Sequence, residues 1–168
     1  GIDRASRLVD QLLTLSRLDS LDNLDDVEPI TLADLLQSAV LDIWHPAQQA
    51  GIDIRLNINT PEVTRTGQPL LLGLLVRNLL DNAIRYSPRG SVVDVTLDTR
   101  SFTVRDNGHG ISPDALARLG ERFYRPPGQD ATGSGLGLSI VKRIAALHGM
   151  RVSLSNAAEG GFEVKVSW

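Results

Sequence analysis

The chain has 168 residues, a net charge of −3, 42% apolar and 22% charged residues, and no cysteine. That composition suits one packed domain with a helical appendage and excludes a disordered tail, a disulfide or thiolate-metal scaffold and a dedicated basic nucleic-acid surface. No apolar run approaches the roughly 20 residues that cross a bilayer, and aromatics at 4% leave the core to Leu, Val, Ile and Ala.

Ile2, Ala5, Leu8, Val9, Leu12 and Leu15 recur at three- and four-residue steps, which predicts an amphipathic helix over the first eighteen or so residues. Its stripe suits either a bundle seam with a partner chain or packing onto the domain behind it. The chain begins Gly1-Ile2-Asp3 without methionine or a capping residue, as an excised piece of a longer protein would. The acidic stretch Asp19 to Glu28 reads as a solvated linker.

Thr31 with Asp34 resembles an acidic capping box opening a helix from Leu32 to Ala50, which Pro46 should kink or interrupt and Gly51 should end. Ile52 to Ile58 alternates as a half-buried strand. Pro69 opens a second helix to Tyr86, stopped by Ser87-Pro88. Strands are expected at Val92 to Leu97 and Phe102 to Val104, and a short helix after Ser112-Pro113. Arg125 to Ser134 is a breaker-rich loop, and Gly135 to His148 a helix closed by Gly149. A final hairpin joins Val152 to Ser155 with Phe162 to Ser167 through Gly160-Gly161. This order predicts an α+β fold with helices layered on one face of a mixed sheet.

Three segments carry chemistry. Asn78 and Asn82 lie one helical turn apart, and amide oxygens are hard ligands suited to Mg²⁺, which shares its coordination with water and phosphates. Asp106-Asn107-Gly108-His109-Gly110 follows a strand; the carboxylate can accept from an exocyclic amine while the glycines admit a close ligand. Gly133-Ser134-Gly135-Leu136-Gly137-Leu138 runs into a helix and offers backbone N–H groups to phosphate, without being a GxxxxGK[ST] loop. Each alone is equally compatible with a solvated helix face, a glycine turn or a hinge.

In this order the segments resemble the N, G1 and G2 boxes of the GHKL ATP-binding family, which includes histidine kinases, gyrase B, Hsp90 and MutL. Glu121-Arg122-Phe123-Tyr124-Arg125 resembles the F box of the kinases. The resemblance spans Thr31 to Trp168, and the phrases LVRNLLDNAIRYSP and GSGLGLSIVKRIAALHG look like enterobacterial sensor kinases. It implies a Bergerat fold, a two-layer α/β sandwich with a mixed, mostly antiparallel sheet. Residues 1–22 would be the second helix of a dimerisation and phosphoacceptor hairpin, 23–30 a linker and 31–168 the catalytic domain.

Carried over by position, the resemblance implies ATP and Mg²⁺ as ligands. Asn82 would hold the metal, Asn78 would support the phosphate–metal cluster and Asp106 would receive the adenine amine. Gly108 and Gly110 would admit the base, with Tyr86 beside it and Arg85 near the phosphates. Gly133, Gly135 and Gly137, with Leu136 between them, would cradle phosphate, and Arg122 and Arg125 would face the γ-phosphate. The family's hydrolytic members use a glutamate where this chain has Asn78, and asparagine is no general base. A kinase is therefore implied rather than a hydrolytic ATPase, an interaction-only relic or an anti-sigma-type serine kinase.

His45, His109 and His148 lack the H-E-x-x-x-P-like context of the family's phosphoacceptor, so the fragment is expected to bind ATP without phosphorylating itself efficiently. The implied partners are the parent's own phosphoacceptor domain, in a homodimer, and a response-regulator receiver domain. The implied place is the cytoplasmic portion of an inner-membrane sensor, with no nucleic acid and no membrane contact by this fragment.

Overall fold

The computed structural model describes residues 2–108, 113–118, 136–157 and 160–168. In chain order the elements are α1 (Ile2–Asp19), β1 (Glu28–Thr31), α2 (Leu32–Gln49), β2 (Asp53–Ile58), β3 (Thr64–Gly67), α3 (Pro69–Tyr86), β4 (Val92–Leu97), β5 (Ser101–Arg105), α4 (Pro113–Arg118), α5 (Gly137–Leu147), β6 (Arg151–Asn156) and β7 (Phe162–Ser167).

Alternation builds the main sheet. Val93, Val95 and Leu97 of β4, Phe102 and Val104 of β5, and Phe162, Val164 and Val166 of β7 are buried on one face. Asp94, Thr96, Thr103, Glu163 and Lys165 occupy the intervening positions, so the other face is polar. The strand order is β2-β4-β5-β7-β6; β2 runs parallel to β4 and every other pair is antiparallel. Helices α2, α3 and α5 pack against one another and the sheet, burying Leu36, Ile43, Leu75, Leu79, Leu80, Ile140 and Ile144 in one core. This is the expected two-layer α+β sandwich with a mixed sheet.

Several local expectations are revised. The segment read as linker ends in β1, which pairs antiparallel with β3 as a separate two-stranded sheet; neither strand was expected. Thr31 therefore makes no side-chain cap. It is the last residue of β1, and the first helical N–H, that of Leu32, donates instead to Val63 O at 3.1 Å. Pro46 does not interrupt α2, which runs on to Gln49. Pro46 and Asp42, whose carbonyl loses its helical partner, are both exposed, so water can take the missing bond. Gly51 ends the helix as expected, at φ +70°.

The stripe of α1 is divided. Leu15 and Leu18 are buried against the domain, whereas Val9, Leu12 and Leu13 are 53%, 40% and 51% exposed. The guanidinium of Arg143 on α5 secures this docking, donating from Nε to Leu18 O at 3.1 Å and from Nη2 to Leu21 O at 2.6 Å. Leu18 O lies in the last turn of α1 and also accepts from Leu21 N at 3.2 Å, while Leu21 lies just past the helix, so the guanidinium spans the helix end and the turn that follows it.

Phe102 lies at the centre of the sheet's buried face, 2% exposed and 6.3 Å between centroids from Trp168. Phe102→Ala should cost about 3–5 kcal/mol by chemical denaturation, while Thr103→Ala on the open face should stay within about 0.5 kcal/mol.

Candidate functional site

α3 carries both halves of the site. Pro69 starts it, and the side chain of the N-cap residue Gln68 accepts from Leu71 N at 2.9 Å. Leu72, Leu75, Val76, Leu79, Leu80 and Ala83 hold the helix in the core. Asn78 is buried among them at 8% exposure, its Nδ2 donating to Leu74 O at 2.9 Å. With the amide nitrogen held there, Oδ1 is directed to the start of α5. A Cβ on Gly137 would lie 3.4 Å from the Oδ1 atoms of both Asn78 and Asn82. The first residue of α5 thus lies over the two amides, with room between them for little more than a methyl group.

A cleft of about 410 Å3 opens on this face, lined by Asn78, Asn82 and Arg85 together with Arg77 and Asp81. Arg77 Nε is 3.4 Å from Asp81 Oδ1, an exposed ion pair that contributes little stability. Asp10, Gln11 and Thr14 of α1 line the same cleft. Among the described residues, no group of three or more His, Cys, Asp or Glu could cage a cation. A single amide oxygen, that of Asn82, fits a cation that keeps its waters and takes further oxygens from a ligand, which is the habit of Mg²⁺.

The second half lies where β5 ends against the last turn of α3. Asp106 is 3% exposed. Its Oδ1 accepts from Gly108 N at 2.9 Å and Phe162 N at 3.1 Å, so among the described residues the second oxygen, Oδ2, is the one left to a ligand's donor. Burial pushes the carboxyl above its ordinary range, and the two N–H groups pull it partly back. Gly108 has to be glycine: a Cβ there would lie 2.9 Å from Tyr86 O and 3.2 Å from Asp106 Oδ1. This contact ties the loop after β5 to the end of α3.

The structure thus gathers Asn78, Asn82 and Arg85 at one cleft, sets Gly137 against the two amides, and brings Tyr86, Asp106 and Gly108 together at the end of α3. Leu136 is wholly buried and its side chain belongs to the core. Gly110, Arg122, Arg125, Gly133 and Gly135 lie outside the described residues. Sequence reasoning passes over Gly161 and Phe162. At φ +89°, Gly161 brings the hairpin turn so close that a Cβ would meet the Asp106 carbonyl, and Phe162 N completes the carboxylate's shell. The Gly160-Gly161 pair signals a turn, but nothing local says what the turn lies against.

A raised carboxyl favours the protonated form in the folded state. The stability it contributes is complete at acid pH and is lost as pH rises through its raised value. Asp106→Asn keeps an Oδ1 for both N–H groups and removes the buried charge. Its melting temperature at neutral pH should equal or exceed that of the parent chain, and the advantage should shrink with acidification, read by thermal denaturation from about pH 8 to about pH 4.

The family described as "Histidine kinase-, DNA gyrase B-, and HSP90-like ATPase" matches residues 67–168, more than half of the chain. Over all 168 residues the chain is 77% identical to sensor protein QseC of Salmonella typhimurium, covering 37% of that protein. It is 38% identical to sensor protein kinase PmrB of Pseudomonas aeruginosa, covering 36% of it. The chain therefore spans little more than a third of these relatives. Among solved structures, the cytoplasmic segment of histidine kinase QseC superposes with a TM-score of 0.72 at 62% identity, covering 100% of this chain and 94% of that one. Full-length ShkA in complex with AMPPNP superposes with a TM-score of 0.82 at 28% identity, covering 95% and 34%. With both clusters carried on α3, inside the matched segment, the chain belongs to the family of histidine kinase-, DNA gyrase B- and HSP90-like ATPases.

Proposed function

We propose that the chain is the ATP-binding catalytic part of a sensor histidine kinase. It transfers the γ-phosphoryl group of ATP to a histidine on the parent's dimerisation hairpin, for relay to a response-regulator aspartate. The observation that carries this reading is the meeting of Asn78, Asn82 and Gly137 at one cleft, with the half-used carboxylate of Asp106 beside it. Adenine binds at Asp106, its amine donating to Oδ2, with Tyr86 alongside and Gly108 leaving room. The phosphates extend toward the start of α5, where N–H groups and the positive helix end favour anions. Asn82 Oδ1 ligates Mg²⁺, Asn78 orders the metal–phosphate cluster and Arg85 offsets phosphate charge. Gly110, Gly133 and Gly135, for phosphate and base, and Arg122 and Arg125, for the γ-phosphate, are assigned from sequence position alone and lie outside the described residues. Mg²⁺, when bound, neutralises charge on the phosphates during in-line transfer.

Asn78 is the reason for a kinase rather than a hydrolase. Nothing at its position can take a proton from water at neutral pH, so the phosphoryl group awaits a protein nucleophile. Both ring nitrogens of His148 are engaged, Nε2 by Gln68 N at 3.1 Å and Nδ1 by Ile144 O at 2.8 Å, which disfavours it as acceptor. α1, with its exposed Val9, Leu12 and Leu13, is assigned to the second helix of the hairpin in a homodimeric parent. Of the linker expected at residues 23–30, 28–30 belong to β1, and the residues before Glu28 connect α1 to the catalytic domain. None of the described helices is long and apolar enough to cross a membrane, in keeping with a cytoplasmic portion of an inner-membrane sensor.

Calorimetric titration with ATP and ADP, with and without Mg²⁺, tests the site. Asn82→Ala should lose the metal-dependent gain in affinity by about tenfold or more. Asp106→Asn should weaken binding with or without metal, because the two N–H groups hold Oδ1 and the amide then turns its own NH2 toward the adenine amine. Equal affinities in all three proteins would overturn the assignment. Gly137→Ala places a methyl group at ordinary contact distance from both amides. It should preserve or raise the melting temperature while lowering MgATP affinity, by the same measurement.

A further inference from the structure

His148 occupies the other end of the α3–α5 pair. The two helices run antiparallel: Gly137, the first residue of α5, meets Asn78 and Asn82, and His148, just past its last residue, meets the entry of α3. The ring makes two hydrogen bonds, one across to the entry of α3 and one back to its own helix. Gln68 N donates to Nε2 at 3.1 Å, which makes Nε2 the unprotonated nitrogen, so Nδ1–H donates to Ile144 O at 2.8 Å. One rigid ring therefore joins the C-terminal carbonyls of α5 to the N-cap residue of α3. Lys or Arg has no acceptor for Gln68 N, and a serine cannot span the two partners.

Gly67 makes room for the ring. A Cβ there would lie 2.8 Å from His148 Cδ2, 3.0 Å from Nε2 and 2.7 Å from Leu72 Cδ1. The glycine that ends β3 is thus the floor of the joint, and the strand, the helix entry and the imidazole form one unit.

We propose that His148 is a positioning residue: by pinning the end of α5 to the entry of α3, it sets the register in which Asn78 and Asn82 face Gly137. The amide end of the pair needs this help, because Gly137 has no side chain with which to lock itself in place. The apolar contacts between α3 and α5 resist separation but are non-directional, and a directional bond from Gln68 N to a ring itself held by Ile144 O, about 16 Å away at about 1.5 Å rise per residue, limits the freedom to slide. The consequence for ligand binding rests on the nucleotide reading above, with phosphates at Gly137 and adenine at Asp106. The joint should then serve the phosphate half of the site and not the adenine half, which is tied to α3 independently through Gly108 and Tyr86 O.

The test compares the parent chain with His148→Ala, His148→Gln and Gly67→Ala, well below their melting temperatures. His148→Gln retains an acceptor near the place of Nε2; Gly67→Ala leaves the imidazole intact and displaces it. The first readout needs no nucleotide: the NMR resonances of the Asn78 and Asn82 side-chain amides and of the Gly137 N–H. They should shift in His148→Ala and Gly67→Ala and return toward the parent positions in His148→Gln. The second is calorimetry with adenosine and with MgATP. The extra affinity of MgATP over adenosine should fall about fivefold in His148→Ala and Gly67→Ala, the scale of one lost hydrogen bond, and recover in His148→Gln, with adenosine affinity unchanged. Unmoved amide resonances would overturn the proposal whether or not nucleotide binds. So would a loss shared equally by adenosine and MgATP, which marks general loosening. A parent chain that binds no MgATP while the resonances shift as expected would refute the nucleotide reading and leave the positioning role standing.

Discussion

Polar groups buried in an apolar domain have to be satisfied, and the arrangement of this molecule follows from where two of them lie. Asn78 sits midway along a helix whose neighbouring residues are almost all leucine, valine and alanine, and Asp106 ends a strand in the middle of the sheet. Each is left by the backbone with one occupied side and one available side: Leu74 O takes the Asn78 amide nitrogen, and two N–H groups take one oxygen of Asp106. A buried group with half its capacity used is costly unless something polar completes it. That cost is borne by the part of the fold that faces a ligand, and the rest of the core is apolar enough to carry it.

Glycine lets the surrounding elements come close enough to matter. Gly108 and Gly161 bring two loops against Asp106 and the end of α3, and Gly137 lets a helix start directly on the Asn78 and Asn82 amides. In each case a methyl group would displace the contact or fill the space a ligand needs. α3 acts as the common rail, carrying the Asn78 and Asn82 amides in its third turn onward and, at its end, the Tyr86 carbonyl that Gly108 approaches. Its placement is decided by the sheet beneath it, the cap at Gln68 and the packing of α5 alongside.

α1 adds a second layer to this picture. Two of its leucines are in the core and its last carbonyls are held by Arg143, yet its apolar outer face remains open and its polar side chains line the cleft. One helix thus both packs on the domain and borders the cleft lined by Asn78 and Asn82.

Long periodic elements were legible. The three-and-four spacing of α1, the alternation of β2, Pro69 at the start of α3, Ser87-Pro88 at its end and the glycines after α2 and α5 identified type and approximate limits, because those signals are local. The one-turn spacing of Asn78 and Asn82 likewise placed both on one face before any tertiary contact was known. Short elements were not legible. β1 and β3 are four residues each, one containing a proline and neither carrying a clean apolar face, and they are strands only because they pair with each other across more than thirty residues. The Thr31 cap failed for the same reason, since the strand supplied an alternative partner for the helix entry.

The sequence by itself determined the α+β class, the order of the long elements and the chemical character of the site: two amide oxygens, one carboxylate, a glycine-rich approach and no general base at Asn78. These are properties of residue type and near-neighbour spacing. Only the tertiary structure decided that Gly137 rests on both amides, that Gly161 and Phe162 N hold Asp106, that His148 joins the ends of α3 and α5, and that α1 turns part of its stripe inward. Those contacts link residues far apart in the chain, and close packing selects among them by fitting all the surfaces at once. No local pattern encodes that choice.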